Sequence, residues 1–471
     1  MSTHTPPLNG LALTPATVIA EHALLPEGWK SAVRLKPAAD GRWLAIMSDA
    51  EGPDAGAYRV NGWLLPGFAN LHSHAFQRVM AGRAERRSHA RDSFWTWRET
   101  MYRVAERFDP DGLRAVAAWL YAEMLEAGYT SVCEFHYLHH QPGGQPYADP
   151  AAMSRALIEA ARETGIALTL MPVLYERGGF DGAELGERQR RFGHGVDDFL
   201  GLLERLSGEQ DGQFRLGMAF HSLRAVSEES MTAVLMALSG ASLPIHIHVA
   251  EQLAEVQECL GRHGARPVQW LYDRMPVDRH WTLVHATHMN PAEIAAVSIS
   301  GATVALCPTT EANLGDGLFS LRDFAEAGGR WGIGSDSQVS ISPVEELRWL
   351  EYGQRLMYRR RNLAARPDQA GLGAGLVATA LENADDPTGA PRGRLRAGQR
   401  ADFIVLDGDA PQLVGHGQAS VLDAWVFSGN RPAVKEVWVG GQRVVSEGRH
   451  RARERLLAGY RQALGRLLGD L

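Results

Sequence analysis

The chain has 471 residues, 45% of them apolar and 22% charged, with a net charge of −7. That balance supports a buried core and excludes a disordered chain, and it argues against a nucleic-acid binder, which is usually basic. No run approaches the roughly 20 uncharged apolar residues of a membrane span, and residues 1–25, with Pro6, Pro7, Pro15 and Glu21 and no basic start, make a poor signal peptide. A cytoplasmic location without membrane partners is therefore expected. The three cysteines, Cys133, Cys259 and Cys307, form no CxxC pair, so a disulfide framework or a thiolate metal site is not expected.

In chain order, residues 1–15 read as a flexible tail, residues 33–47 as a hairpin about Asp40-Gly41, and residues 58–65 as a short strand. Eight apolar runs follow, at 69–74, 130–135, 166–173, 214–221, 243–249, 281–286, 302–307 and 331–336. They alternate with helical segments that carry their own start and stop signals: Asp109-Pro110 before a helix ended by Gly128, Ser227 before one followed by Gly240, and Asn290-Pro291 before one closed at Gly301. Continuous apolar strands separated by helices predict a parallel sheet covered on both faces. Eight such units match the roughly 250 residues or more of a (β/α)8 barrel, here over 65–386, with a doubly wound open sheet as the alternative. Strands at 401–406 and 437–445, the latter turning at Gly440-Gly441, combine with those of the first segment. The expected α/β architecture is thus a TIM-type barrel plus a small β-sandwich built from both chain ends (16–64 and 387–450), followed by a C-terminal helix within 451–471.

Four polar sites fall at the C-terminal ends of predicted strands, the face where a barrel gathers its functional groups. They are His72-Ser73-His74, His246-Ile247-His248 with Glu251 just beyond, His285 with His288, and Asp336. Residues i and i+2 of a strand share a face, so His72 and His74 can reach one ion, and either His246 or His248 can join them. Glu251 is placed to move a proton beside an activated water. A His/His/His/Asp set suits one Zn2+, with Fe2+ as the alternative.

The run Leu65-Pro66-Gly67-Phe68-Ala69-Asn70-Leu71-His72-Ser73-His74 resembles the first-strand signature of the amidohydrolase superfamily. His248 with Glu251, His285 and Asp336 match that pattern in order, and Leu395, Gly398 and Ala401-Asp402-Phe403 resemble its small-domain return segment. The resemblance implies a metal held by His72, His74, His248 and Asp336, with Glu251, His285 and Asp336 as the catalytic residues. Only Lys30, Lys36 and Lys435 are lysines, so the carboxylated lysine of binuclear members has no counterpart in the barrel and the mononuclear deaminase branch is implied.

The segments His74-Ala75-Phe76-Gln77-Arg78, Ser93-Phe94-Trp95-Thr96-Trp97-Arg98-Glu99, Glu134-Phe135-His136-Tyr137, His221-Ser222-Leu223-Arg224 and Thr310-Glu311-Ala312-Asn313-Leu314-Gly315-Asp316-Gly317 resemble the formimidoylglutamate deiminase family of histidine degradation. That resemblance implies hydrolysis of N-formimidoyl-L-glutamate, a small molecule with two carboxylates, to N-formyl-L-glutamate and ammonia. Guanidinium groups suit such a substrate because they bind carboxylates in a bidentate fork. Arg224, three residues past the fourth strand, and Arg98, in the insertion after the first, are the expected clamps, Arg98 acting from its own or a neighbouring subunit. Tyr137, His221 and Gln77 would add hydrogen bonds, with loop roles expected for His136, His139 and His140. Gln338 is a candidate pocket contact. A homodimer is expected. The rivals are a deaminase of the same branch acting on a guanine, adenosine-like or triazine ring, and a catalytically silent scaffold.

Overall fold

The computed structural model describes residues 15–49, 56–85 and 94–469. All but the last residue of the expected tail lies outside the described residues, as does Ser93. Eight parallel strands run Phe68–Ser73, Tyr129–His136, Ala167–Leu174, Met218–Ser222, Ile245–Val249, Trp281–His285, Thr303–Leu306 and Arg330–Ile333, each pairing with its neighbour in chain order. A three-residue strand, Phe214–Leu216, lies beside the third. Consecutive order excludes the doubly wound sheet, in which the order reverses. The second and third strands are buried at every position, as expected where helices cover the outside and side chains fill the inside.

The barrel closes at its functional rim. Ser73 bridges Asp336 in parallel register, the amides of Ser335 and Asp336 donate to the His72 carbonyl at 3.1 and 2.9 Å, and the His74 amide donates to the Asp336 carbonyl at 3.2 Å. Two glycines permit the close approaches around this first strand. A Cβ on Gly334 would meet His72 backbone and Cβ atoms at 2.8–2.9 Å, and one on Gly67 would lie 2.1 Å from the Thr130 methyl.

Both chain ends contribute to one further eight-stranded sheet. Its order is Arg449–His450, Gln442–Ser446, Val434–Val439, Phe403–Leu406, Tyr58–Pro66, Val18–Leu25, Gly28–Pro37 and Trp43–Met47. All pairs are antiparallel except Val18–Leu25 with Tyr58–Pro66. The sheet folds back on itself, because Trp43 donates its amide to the Gln399 carbonyl and packs its ring 5.6 Å from that of Phe403. The two layers enclose a separate apolar core containing Val18, Leu35, Trp43, Leu64, Phe403 and Trp438. Tyr58–Pro66 runs through Gly67 straight into the first barrel strand, so this sheet anchors the strand that carries His72 and His74.

The helices obey their end signals. Pro110–Ala127 is capped by the Asp109 carboxylate, which accepts from the Gly112 amide, and ends at Gly128 with φ of 108°. Pro291–Ser300 has the reciprocal Asn290/Glu293 capping box. The last helix, Arg453–Leu468, packs on Pro110–Ala127, with Tyr460 stacked 5.9 Å from Trp119. No helix among the described residues is long and apolar enough to cross a membrane. All three cysteines are buried and unbridged.

Candidate active site

The strand ends that meet at the rim carry unusual backbone. Ala250, His285, Ala286, Asp336 and Gln338 all have φ between 43° and 67°, half of the ten non-glycine positive-φ residues described. Such conformations are costly away from glycine and concentrate where the fold must aim side chains.

Three imidazoles and one carboxylate converge there. His72 Nε2 lies 3.0 Å from both His74 Nε2 and His248 Nε2, and Asp336 Oδ1 lies 3.5 Å from His72 Nε2 and 3.3 Å from His74 Nε2. His74 Nδ1 donates to the Phe135 carbonyl at 2.9 Å and His248 Nδ1 to the His221 carbonyl at 3.0 Å. These bonds leave the Nε2 lone pairs of both rings turned toward His72 Nε2, the orientation that ligand imidazoles take around a cation. Burial, reinforced by the neighbouring imidazoles, pushes His72 and His248 well below the usual histidine range, so both rings are neutral. Ligands on a tetrahedron at about 2.0–2.1 Å from an ion stand about 3.3 Å apart, which the observed separations bracket. His72, His74 and Asp336 form one group of donor atoms close enough to share a cation and His72, His248 and His285 another, with His72 common to both. His246, the other member of its pair, instead donates from Nε2 to the Pro387 carbonyl and is not among the pocket-lining residues.

Glu251 and His285 face this set from the other side. His285 Nε2 lies 3.9 Å from Glu251 Oε1 and 3.7 Å from Asp336 Oδ2, and its Nδ1 lies 3.3 Å from Glu311 Oε1. Burial pulls His285 down, but Glu251, Glu311 and Asp336 together overcome it and raise it to about 10. Burial raises Glu251 to about 7, against the pull of His285. Glu251, held near neutrality, can both take up and release a proton, whereas His285 is kept protonated by the carboxylates around it. Glu255 is absent from the expectations drawn from sequence, and Glu311 stands there only within the family-like segment 310–317, with no role given to it. Glu311 fixes the His285 ring and accepts from the Cys307 amide at 3.0 Å, whereas Glu255 accepts from the Ala250 and Glu251 amides at 3.1 and 3.0 Å and so fixes the Glu251 backbone.

The pocket above these groups is lined by His74, His248, Glu251, His285 and Asp336, and also by Arg98, Arg224, Tyr137, His221 and Gln77, every substrate contact expected from sequence. Arg98 reaches the pocket of its own chain, from the helix Phe94–Ala105. Gln77 donates to Tyr137 Oη at 3.0 Å. Trp97, Tyr102, Tyr175 and Phe192 form an aromatic wall, completed by Met101 and Leu314, that sequence reasoning largely missed. Gln338 does not line the pocket. Its amide donates to Ser73 Oγ at 3.0 Å and accepts from Ser335 Oγ at 2.8 Å, bracing the barrel seam. His136, His139 and His140 lie outside the pocket, gathered around His194 with ring centroids of His139 and His194 4.2 Å apart.

A parallel barrel with this rim is the architecture of metal-dependent hydrolases, and the chain belongs to the amidohydrolase family, whose model matches residues 63–444. A second model, the N-terminal domain of formimidoylglutamate deiminase HutF, matches residues 16–59. Within the family the chain groups with the formimidoylglutamate deiminases: the enzyme of that name from Pseudomonas aeruginosa is 50% identical over 454 residues, covering 96% of this chain and 100% of that one. A 5-methylthioadenosine/S-adenosylhomocysteine deaminase from Natronomonas pharaonis is 26% identical, covering 82% of this chain and 81% of its own. The crystal structure of an amidohydrolase from Brucella melitensis superposes with a TM-score of 0.90 at 44% identity, covering 96% of this chain and 99% of that one.

Proposed function

We propose that this chain is a hydrolytic deiminase that converts N-formimidoyl-L-glutamate and water to N-formyl-L-glutamate and ammonia in histidine degradation. The observation that carries the reading is the joint lining of one pocket by two guanidiniums, Arg98 and Arg224, and by the His285–Glu251–Asp336 cluster. A substrate with carboxylates at one end and an amidine-type carbon at the other matches that polarity.

His72, His74, His248 and Asp336 would hold one divalent cation, Zn2+ with Fe2+ as the alternative. When bound, the cation supplies Lewis-acid activation of water at neutral pH. Arg98 and Arg224 bind the carboxylates and orient the formimidoyl carbon toward the rim. Asp336 Oδ2 accepts the proton that water loses as its oxygen bonds to that carbon, assisted by the protonated His285 whose Nε2 lies 3.7 Å from it. Glu251 delivers a proton to the imino nitrogen, and a second transfer to the same nitrogen lets ammonia leave as the carbonyl of the formyl group forms. Trp97, Met101 and Tyr102 shield the site from bulk water. Cytoplasmic residence and a homodimer belong to the same proposal.

The test is ammonia release from N-formimidoyl-L-glutamate, guanine and 5′-methylthioadenosine measured side by side on purified protein with added Zn2+. Turnover of the first alone supports the proposal. Preferential turnover of a purine overturns the substrate, and no turnover of any, with no metal retained, favours a silent scaffold.

A further inference from the structure

The aromatic wall contains a pair of phenols whose hydrogen-bond direction is set from behind. Gln189 lies in the short turn Glu187–Phe192. Its Oε1 accepts from the Gly186 amide at 3.0 Å, and a backbone N–H can meet only the oxygen end of a carboxamide. The amide nitrogen is thereby aimed the other way, where it donates to Tyr102 Oη at 3.2 Å and to Tyr175 Oη at 2.9 Å. Each phenol oxygen accepts on that side, so each O–H proton must be given elsewhere. Among the described residues no acceptor takes either proton, although both side chains are buried, at 7% and 3% exposure.

Both rings line the pocket together with Arg98 and Arg224. The Arg98 guanidinium lies over the Tyr102 ring, 5.5 Å from its centroid, and the Tyr175 ring meets His221 edge-on at 4.4 Å. Burial pushes the Tyr102 phenol far above its ordinary value, so it stays a donor at any working pH. Two oriented O–H donors beside two guanidiniums form a seat for an anion with several acceptor lone pairs.

We propose that Tyr102 and Tyr175, oriented by Gln189, donate to one carboxylate of the substrate and are specificity-determining residues for a dicarboxylic acid. The proposal rests on the deiminase reading above for the identity of the substrate and deepens it. Tyr102 and Tyr175 touch substrate, and Gln189 is a positioning residue acting through them. Because the guanidiniums favour a negative charge and the phenols, aimed by Gln189, favour an acceptor, the site discriminates by charge and by donor direction together.

The experiment combines binding with turnover. Glutarate, a dicarboxylate without a reactive carbon, is titrated calorimetrically into wild type, Tyr102→Phe, Tyr175→Phe, Gln189→Leu and Gln189→Glu. Each Tyr→Phe change is expected to weaken glutarate about 10- to 100-fold, as for loss of a hydrogen bond to a charged group. Gln189→Glu conserves size but takes both phenol protons and adds a like charge, so it should weaken binding more than Gln189→Leu.

In turnover the Tyr→Phe variants should raise KM for N-formimidoyl-L-glutamate by a similar factor with kcat within about threefold. The penalty should vanish with one of two truncated substrates, N-formimidoyl-L-glutamine or N-formimidoyl-4-aminobutyrate, whichever lacks the carboxylate seated there. Unchanged glutarate binding in the Tyr→Phe variants, or a penalty that persists with both truncated substrates, overturns the proposal. Wild-type protein that binds glutarate through the tyrosines but releases no ammonia from N-formimidoyl-L-glutamate instead overturns the deiminase reading and leaves the seat standing.

Discussion

Proton placement around the rim is decided by groups that are not themselves reactive. Backbone carbonyls of Phe135 and His221 hold the Nδ1 protons of His74 and His248 and so present bare Nε2 atoms to the centre, as a ligand imidazole requires. Glu251 stands apart from this arrangement, which separates its role from metal retention. Glu251→Gln is therefore expected to keep about one bound cation per chain, read by metal analysis, while kcat falls about 10²–10⁴-fold; a variant that turns over at near the native rate removes Glu251 from the proton path. Stripping the cation with a chelator should abolish activity and lower Tm, and Zn2+ should restore both. An apo protein with undiminished activity would contradict the donor-set argument.

The residues proposed for these roles could be picked out because a strand displays i and i+2 on one face, which made His72 with His74, and the pair His246 and His248, a pattern in the bare sequence. Glu255 and Glu311 could not, because their work is to accept backbone amides of strand-end loops. The visible traces are weak: an acid four residues after Glu251 and another three after Pro308, each in the first turn of a helix. Tyr102 and Tyr175 were equally hidden, since nothing local says which aromatic residues of a 471-residue chain will share a wall.

At the level of elements, the barrel strands were legible because all eight are apolar runs bounded by helix signals, and each lies within a few residues of its expected place. The strand Val18–Leu25 was not foreseen. Its buried positions run Val18, Ala20, then Ala23 and Leu25, because a register shift between Ala20 and His22 breaks the alternation that marks a half-buried strand. The return of the sheet onto itself through Trp43 and Gln399 was also beyond a local pattern.

The seam between the first and last barrel strands makes a sharp prediction. Gly334→Ala would push a methyl into His72 at 2.8–2.9 Å, so the strand tip must shift and take Asp336 with it. Metal affinity should fall at least about tenfold while the far-UV spectrum stays native. Unchanged affinity would mean that the seam yields without moving the ligand. Asp109→Ala, by contrast, removes a helix cap that is not part of the pocket lining and should cost about 1 kcal/mol in urea denaturation with kcat unaltered.

For the molecule as a whole, several buried histidines tie stability to pH. His450 donates from Nε2 to the Thr164 carbonyl at 2.8 Å and accepts at Nδ1 from the Ala452 amide at 3.2 Å, an arrangement only the neutral ring can make. Burial lowers His450 and His246 to about 4, and His136 and His194 to about 3. Below about pH 6.5 the unfolded chain binds protons that the folded rings refuse, so stability present above that pH is lost as pH falls toward 4. Tm should drop steadily from pH 7 to pH 5, and His450→Gln should flatten part of that slope; a level Tm across the interval would contradict these placements.

The closure of the barrel through Ser73 and Asp336 also sets the order in which the protein matures. During translation His72 and His74 leave the ribosome early, and a nascent chain offering two imidazoles holds an ion only in rapid exchange. With the proposed ligand set, the aspartate that completes the cage would arrive with the last strand, so firm capture of an ion would wait until the barrel had been synthesised and zipped shut.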